Sequence, residues 1–231
     1  MTRGFPIGTI AGVRVGVHWS LAIVFALVAW TLSVAVFPDQ DPGHANGTYL
    51  AMGLAAAALF VLALLAHELA HAVEARRSGM PLDGVTLGFL GGVARFRGAF
   101  PSAAVELRVA LAGPAVSLAI GAAAVAVASL LPLPSAIDGV VAWIGYSSLL
   151  LAVFNLLPAL PLDGGRVLRA ALWHATGNAA RATAISSTVG RLLGLALVVA
   201  GAVSFALRSP FGGVWLLLTG VFLLQAAPGR R

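Results

Sequence analysis

The 231-residue chain contains no cysteine and no lysine. The first absence excludes disulfides, thiolate metal ligands and a cysteine nucleophile. Charge is scarce as well: Asp, Glu, Lys and Arg make up 10% of the residues, against about 25% in an ordinary soluble domain. With 60% hydrophobic residues, the chain reads as a membrane protein whose first partner is the lipid bilayer. All 14 basic residues are arginines and the net charge is +6, a balance that raises the question of nucleic acid. Their placement argues against it. They fall in short stretches between apolar runs, with no basic stripe and no interleaved aromatics, so they read as orientation signals.

What the chain has in quantity is apolar runs near the roughly 20 residues that cross a bilayer. Six candidate spans result, at about 17–37, 48–75, 103–131, 137–157, 184–207 and 211–226. The fold class expected is an all-α six-helix membrane bundle, one polytopic domain over 1–231 without internal repeat or second domain. The first run outlasts a signal-peptide core and ends in PDQDPG without a small-residue cleavage site, so it reads as a retained span. With the amino terminus in the cytoplasm, every arginine except Arg208 lies at or near that side, which places both termini there. The compact length and lack of a targeting peptide suit a prokaryotic inner membrane.

Two connections are irregular. In PLDGVTLGFLGGVARFRGAF, residues 81–100, Val85, Leu87 and Phe89, then Val93, Arg95 and Arg97, alternate like short strands. A membrane-associated β-hairpin after the second helix is expected, with Gly91 and Gly92 as its turn or bulge. In NLLPALPLDGGR, residues 155–166, Pro158 and Pro161 should end the fourth helix. Gly164 and Gly165 then allow a tight turn before an amphipathic segment at 167–174.

The sequence HELAH, His67 to His71, lies inside the second apolar run. Residues four apart share one helical face, so His67 and His71 can offer two imidazoles to one metal ion while Glu68 flanks it. That pattern serves zinc hydrolases, in which the glutamate takes a proton from a water the ion has acidified. Arg76 lies nine residues beyond His67, about 13 Å along a helix, so the motif sits well inside the hydrocarbon. Polar groups at that depth need a compensating partner, and a bound ion supplies one. A buried network that only packs helices would explain neither the glutamate nor a third ligand. For that ligand His18, His44, His174 and the acids are available. The three histidines each have an interfacial or loop reading. Asp163 follows the broken fourth helix at a matching depth; its other reading is an N-cap of the segment after it.

HELAH in the second span, a Gly-Pro pair in the third (AGPAVS, 112–117) and NLLPALPLDGGR after the fourth occur in the order found in site-2 proteases. The chain resembles that family of intramembrane zinc metalloproteases. The resemblance implies one Zn2+ per chain held by His67, His71 and Asp163, with Glu68 as general base. It implies a substrate that is the transmembrane segment of another protein. It suggests that Asn155 binds substrate or the oxyanion, or else only packs helices. Gly113 and Pro114 would shape the third helix for close packing. The hairpin with Gly91 and Gly92 would let an unwound substrate add as a strand, or be plain scaffolding. The PDZ and CBS domains many members carry are not expected here. A metal-ion transporter is the alternative from another class, but the outer halves of spans two to four are almost wholly apolar, as in AMGLAAAALFVLALL. An inactive protease-like scaffold is a further alternative, although every residue the chemistry needs is present.

Overall fold

The computed structural model describes residues 4–88, 91–96, 98–207 and 210–226. Phe89 and Arg97, expected in the hairpin, lie outside the described residues, as do Arg3, Arg208, Arg230 and Arg231. In chain order come β1 (Phe5–Ile10), β2 (Val13–Val17), α1 (Ser20–Thr31), a π-helical turn (Leu32–Val36), α2 (Phe37–Gln40) and α3 (Asn46–Arg77). These are followed by β3 (Leu82–Gly88), β4 (Gly91–Phe96), α4 (Ala103–Leu130), α5 (Ser135–Asn155), α6 (Asp163–Thr176), α7 (Ala179–Ala206) and α8 (Pro210–Ala226). Two compact units emerge: Met1–Ala99 with Ala112–Val153, and Phe100–Leu111 with Phe154–Arg231.

Among the described residues, five helices are long and apolar enough to cross a membrane: Ser20–Gln40, Asn46–Arg77, Ala103–Leu130, Ser135–Asn155 and Ala179–Ala206. They fall on the first five expected spans. The first starts later than expected, because Val17 closes β2 and the helix begins at Ser20. Its π turn lies just before Pro38, which has no N–H to return to the preceding turn, so the ladder shifts register there. The sixth expected span falls on α8, which at 17 residues is not among the five.

In the first unit the helices are apolar all round. Ile23, Leu27 and Trp30 on α1 and Leu50, Leu59 and Leu62 on α3 are exposed, as expected for side chains that meet lipid. Leu32, Phe37, Tyr49, Met52, Ala56 and Val140 form one core cluster. Between α1 and α3 the backbones come close at Gly53, where an added Cβ would stand 2.5 Å from the Ala29 carbonyl oxygen. Beyond α2, Asp41 Oδ2 lies 2.7 Å from His44 Nε2, and this bond holds the Asp41 carboxyl below its ordinary range. The Tyr49 hydroxyl donates to the Asp41 carbonyl at 2.8 Å. His44 is thus engaged by its own loop and by Ser135 at the start of α5, whose Oγ lies 3.1 Å from its Nε2.

The expected hairpin is half of a larger element. β3 and β4 pair antiparallel, but β3 also pairs parallel with β2, and β2 antiparallel with β1, giving a four-stranded sheet in the order β1-β2-β3-β4. The all-α expectation is corrected accordingly. Ala11 and Gly12, both at positive φ, make the two-residue turn between β1 and β2. The apparent Gly91-Gly92 turn is also resolved: Gly91 pairs with Gly88 at the strand end, and Gly92 is a strand residue opposite Leu87. The register shift lies instead between Leu82 and Gly84. Alternate residues Val13 on β2 and Val85 and Leu87 on β3 pack with Leu21, Leu64 and Ala72 into a second core, so the sheet lies against the carboxy-terminal half of α3.

That half of α3 is firmly ended. Met80 N–H donates to Ala75 O at 3.0 Å and Gly79 N–H to Arg76 O at 2.9 Å, with Gly79 at φ +74, which is a Schellman stop. Arg76 and Arg77 in the last turn suit the negative end of the helix dipole, and Arg76 Nη1 donates to the Ala11 carbonyl at 2.6 Å.

In the second unit, α6 runs from Asp163, four residues ahead of the expected segment, and stops at Gly177 in a left-handed conformation. Arg169 on α6 donates to Glu106 Oε1 at 2.6 Å and to Thr183 Oγ1 at 3.0 Å, joining the first turn of α4 to α6 and α7. Glu106 is buried, so the pair offsets a charge that would otherwise be costly. α7 and α8 approach backbone to backbone, Gly201 meeting Gly213 and Gly194 meeting Gly220.

The Gly53 contact is checked by substitution. Gly53→Val should lower stability by about 1–3 kcal/mol, read as a reduced denaturation midpoint in detergent, because the carbonyl it meets cannot move aside. Ala55→Val, at an exposed position on the same helix, should leave the midpoint unchanged.

Candidate metal centre

α3 carries His67, Glu68 and His71 on a stretch rich in Ala and Leu, the strongest helix formers among apolar residues. One turn separates the two histidines, and both are buried, at 2% and 5% exposure. Their Nε2 atoms stand 3.2 Å apart. Two nitrogens each about 2.05 Å from a shared tetrahedral zinc would be roughly 3.3 Å apart, so the observed spacing fits joint ligation. His67 Nδ1 points the other way, to Ser117 Oγ at 2.9 Å.

The room in front of these nitrogens is made by α4. A Cβ on Gly113 would lie 2.7 Å from His67 Nε2 and would strike the His71 ring. Gly113 therefore does serve close packing, as expected, but the surface it packs on is the histidine pair itself. Pro114 follows, fully buried within the helix. Ser117, one turn after Gly113, was not singled out from the sequence. Its signal was the i, i+4 spacing from Gly113, which puts both on one face.

Glu68 is one position on from His67 and so turned about 100° around the helix, away from the shared face of the histidines. It meets β4. A Cβ on Gly92 would fall on the Glu68 side chain, 2.7 Å from Oε1, so only glycine lets the strand pass over this carboxylate. Gly91, at φ +98, has open space where a Cβ would be. Its role is conformational, a positive φ at the end of the strand.

The remaining candidates are placed as follows. His18 Nδ1 lies 2.7 Å from Ser20 Oγ, at the junction of β2 and α1, and the His18 backbone N–H donates to Leu87 O at 2.7 Å. His174 is exposed on α6. In the second unit, Asn155 is the last residue of α5 and half-buried. Asp163 is 8% exposed and opens α6 as its first helical residue; the N-cap is Leu162, so Asp163 is no N-cap. A carboxylate there also suits the positive end of the helix. Gly164 and Gly165 do not form a turn, contrary to expectation. They lie in the first turn of α6, where side chains would collide with the Leu156 carbonyl and the Leu160 amide. Close approach, not flexibility, accounts for them.

A membrane-spanning helix that converges two imidazoles and flanks them with a carboxylate defines a class, the integral membrane proteins built around an HExxH metal centre. Residues 55–137 and 133–197 match the model of Peptidase family M50, and the chain belongs to that family. It is 40% identical over 231 residues to a Mycobacterium tuberculosis protein described as the zinc metalloprotease Rip3, covering 98% of this chain and 58% of that one. It is 34% identical over 227 residues to a Synechocystis protein described as the zinc metalloprotease sll0528, covering 98% of this chain and 59% of that one. The chain thus spans a little over half the length of these relatives. Among solved structures it is similar to the site-2 protease from Methanocaldococcus jannaschii, with a TM-score of 0.62, 25% identity, and 99% and 97% of the two chains covered.

If Gly113 is the space in front of the nitrogens, Gly113→Ala should cut bound zinc at least tenfold, measured on purified protein by elemental analysis. Gly47→Ala, where a Cβ meets nothing within 4 Å, should keep wild-type zinc; equal losses in both would remove Gly113 from the site.

Proposed function

We propose that the chain is an intramembrane zinc protease that hydrolyses a peptide bond within the transmembrane segment of another membrane protein. The observation that carries this reading is the pair of buried Nε2 atoms 3.2 Å apart on a helix apolar enough to span, with Glu68 beside them. Family membership supports it, as do relatives described as zinc metalloproteases. Both histidines and Asp163 are buried side chains of ligating type, and the family resemblance assigns all three to the ion. Two imidazoles and a carboxylate are a donor set found in catalytic zinc sites, which keep a further position open.

A zinc ion bound there supplies a Lewis acid that acidifies water and polarises a carbonyl. The chain does the rest. The Glu68 carboxylate takes a proton from the water that attacks the scissile carbonyl carbon, then delivers it to the amide nitrogen as the C–N bond breaks. Asn155 offers a side-chain N–H to the developing oxyanion. β4, passing over Glu68 at Gly92, offers main-chain groups to a substrate stretch that has left its helix, replacing the hydrogen bonds lost in unwinding.

The wider arrangement belongs to the same proposal. One polytopic domain crosses six times, with α8, about 26 Å long, as the last and shortest span. Both termini face the cytoplasm, in the inner membrane of a prokaryotic cell, and the sheet lies at that face. Because the chain has no cysteine, single introduced cysteines report topology cleanly. Arg181→Cys should be labelled by an impermeant reagent only in inverted vesicles; labelling in right-side-out vesicles would turn the arrangement over.

The ligand and base roles separate in one experiment. Glu68→Gln should keep near one zinc per chain and lose cleavage of a single-span substrate by about 10²-fold or more. His67→Ala, His71→Ala and Asp163→Ala should each lose the metal. A Glu68→Gln variant that still cleaves sinks the protease reading, and an Asp163→Ala variant with full zinc removes that ligand. Gly91→Val with Gly92→Val should impair cleavage while zinc content stays intact; undiminished cleavage would reduce the strand pair to scaffolding.

A further inference from the structure

We propose that Ser117 is a positioning residue that fixes the tautomer of His67, an inference that rests on the zinc reading above. A neutral imidazole carries one N–H, and it can give a metal the Nε2 lone pair only when that proton is on Nδ1. At His67 the Nδ1 atom is shut away from water, so its proton needs a protein acceptor. Ser117 Oγ, 2.9 Å away on a side chain 1% exposed, is placed to accept it.

The competing arrangement is close at hand. Nε2 atoms 3.2 Å apart can share a proton with each other, one donating and the other accepting, and in that state neither lone pair is free for an ion. With the serine oxygen accepting from Nδ1–H, Nε2 of His67 carries no proton and keeps its lone pair to offer an ion. One face of α4 therefore acts on both ends of the same ring: Gly113 leaves space at Nε2, and Ser117 holds Nδ1. Burial of a serine does not by itself imply such a role here. Ser148 on α5 is equally buried at 1%, yet its Oγ has no hydrogen-bond partner among the described residues. It serves as the control.

The test uses the full chain in detergent and zinc as the probe. Zinc affinity is measured by competition with a chelator, and ring tautomers by nitrogen-15 NMR on histidine-labelled protein, which has only five histidines to assign. Ser117→Ala should weaken zinc binding about 10- to 100-fold, as loss of an outer-shell partner does elsewhere. Without zinc, wild type should show His67 in the Nδ1–H tautomer, and the Ser117→Ala signals should leave it. Ser117→Thr, which keeps the hydroxyl, should restore both, and Ser148→Ala should match wild type. Wild-type zinc affinity in Ser117→Ala, or an equal loss in Ser148→Ala, overturns the inference while leaving the zinc reading intact. A wild-type chain that takes up no zinc overturns both.

Discussion

The constraint on which the site depends is the cost of placing two imidazoles and a carboxylate on a helix that crosses hydrocarbon. Such groups cost several kcal/mol each unless something answers them. Each local feature around HELAH is an answer. The two Nε2 atoms face a common point, Nδ1 of His67 has a serine, and Glu68 faces a strand rather than lipid. Sequence dictates the division, because positions 67 and 71 share a face while 68 is turned toward the sheet.

A second consequence is the use of small residues. Apolar side chains gain little by leaving lipid for one another, so helices in a membrane associate by fitting closely. Gly53 lets α3 reach α1, and the glycines of α7 and α8 meet across their own contact. The same device is put to chemical use at Gly113 and Gly92, where the absent Cβ makes room for a ring nitrogen and for a carboxylate. Nothing in composition separates the two uses.

Much of this was legible because it is local. Runs of apolar residues marked five helices, and the i, i+4 spacing marked the face on which His67 and His71 converge. The amino-terminal strands were missed although Val13, Val15 and Val17 alternate, because five residues make a short signal and Val17 merges into the apolar run that follows. Gly164 and Gly165 read as a turn because a missing Cβ serves tight turns and close approach alike, and only the neighbours decide. Ser117 stayed hidden since its partner is 50 residues away. An Asp before a helical segment looks like a cap, yet the helix begins with it.

The latch at the end of α3 has a mechanical implication. The Schellman stop and the Arg76 bond to Ala11 fasten the helix end to a turn 65 residues earlier in the chain. A helix is stiff along its axis, and His71 is little more than one turn from that fastening. The amino-terminal hairpin is therefore the mount on which the histidine-bearing rod is seated, so the alignment of the two imidazoles is set in part by residues that never touch them.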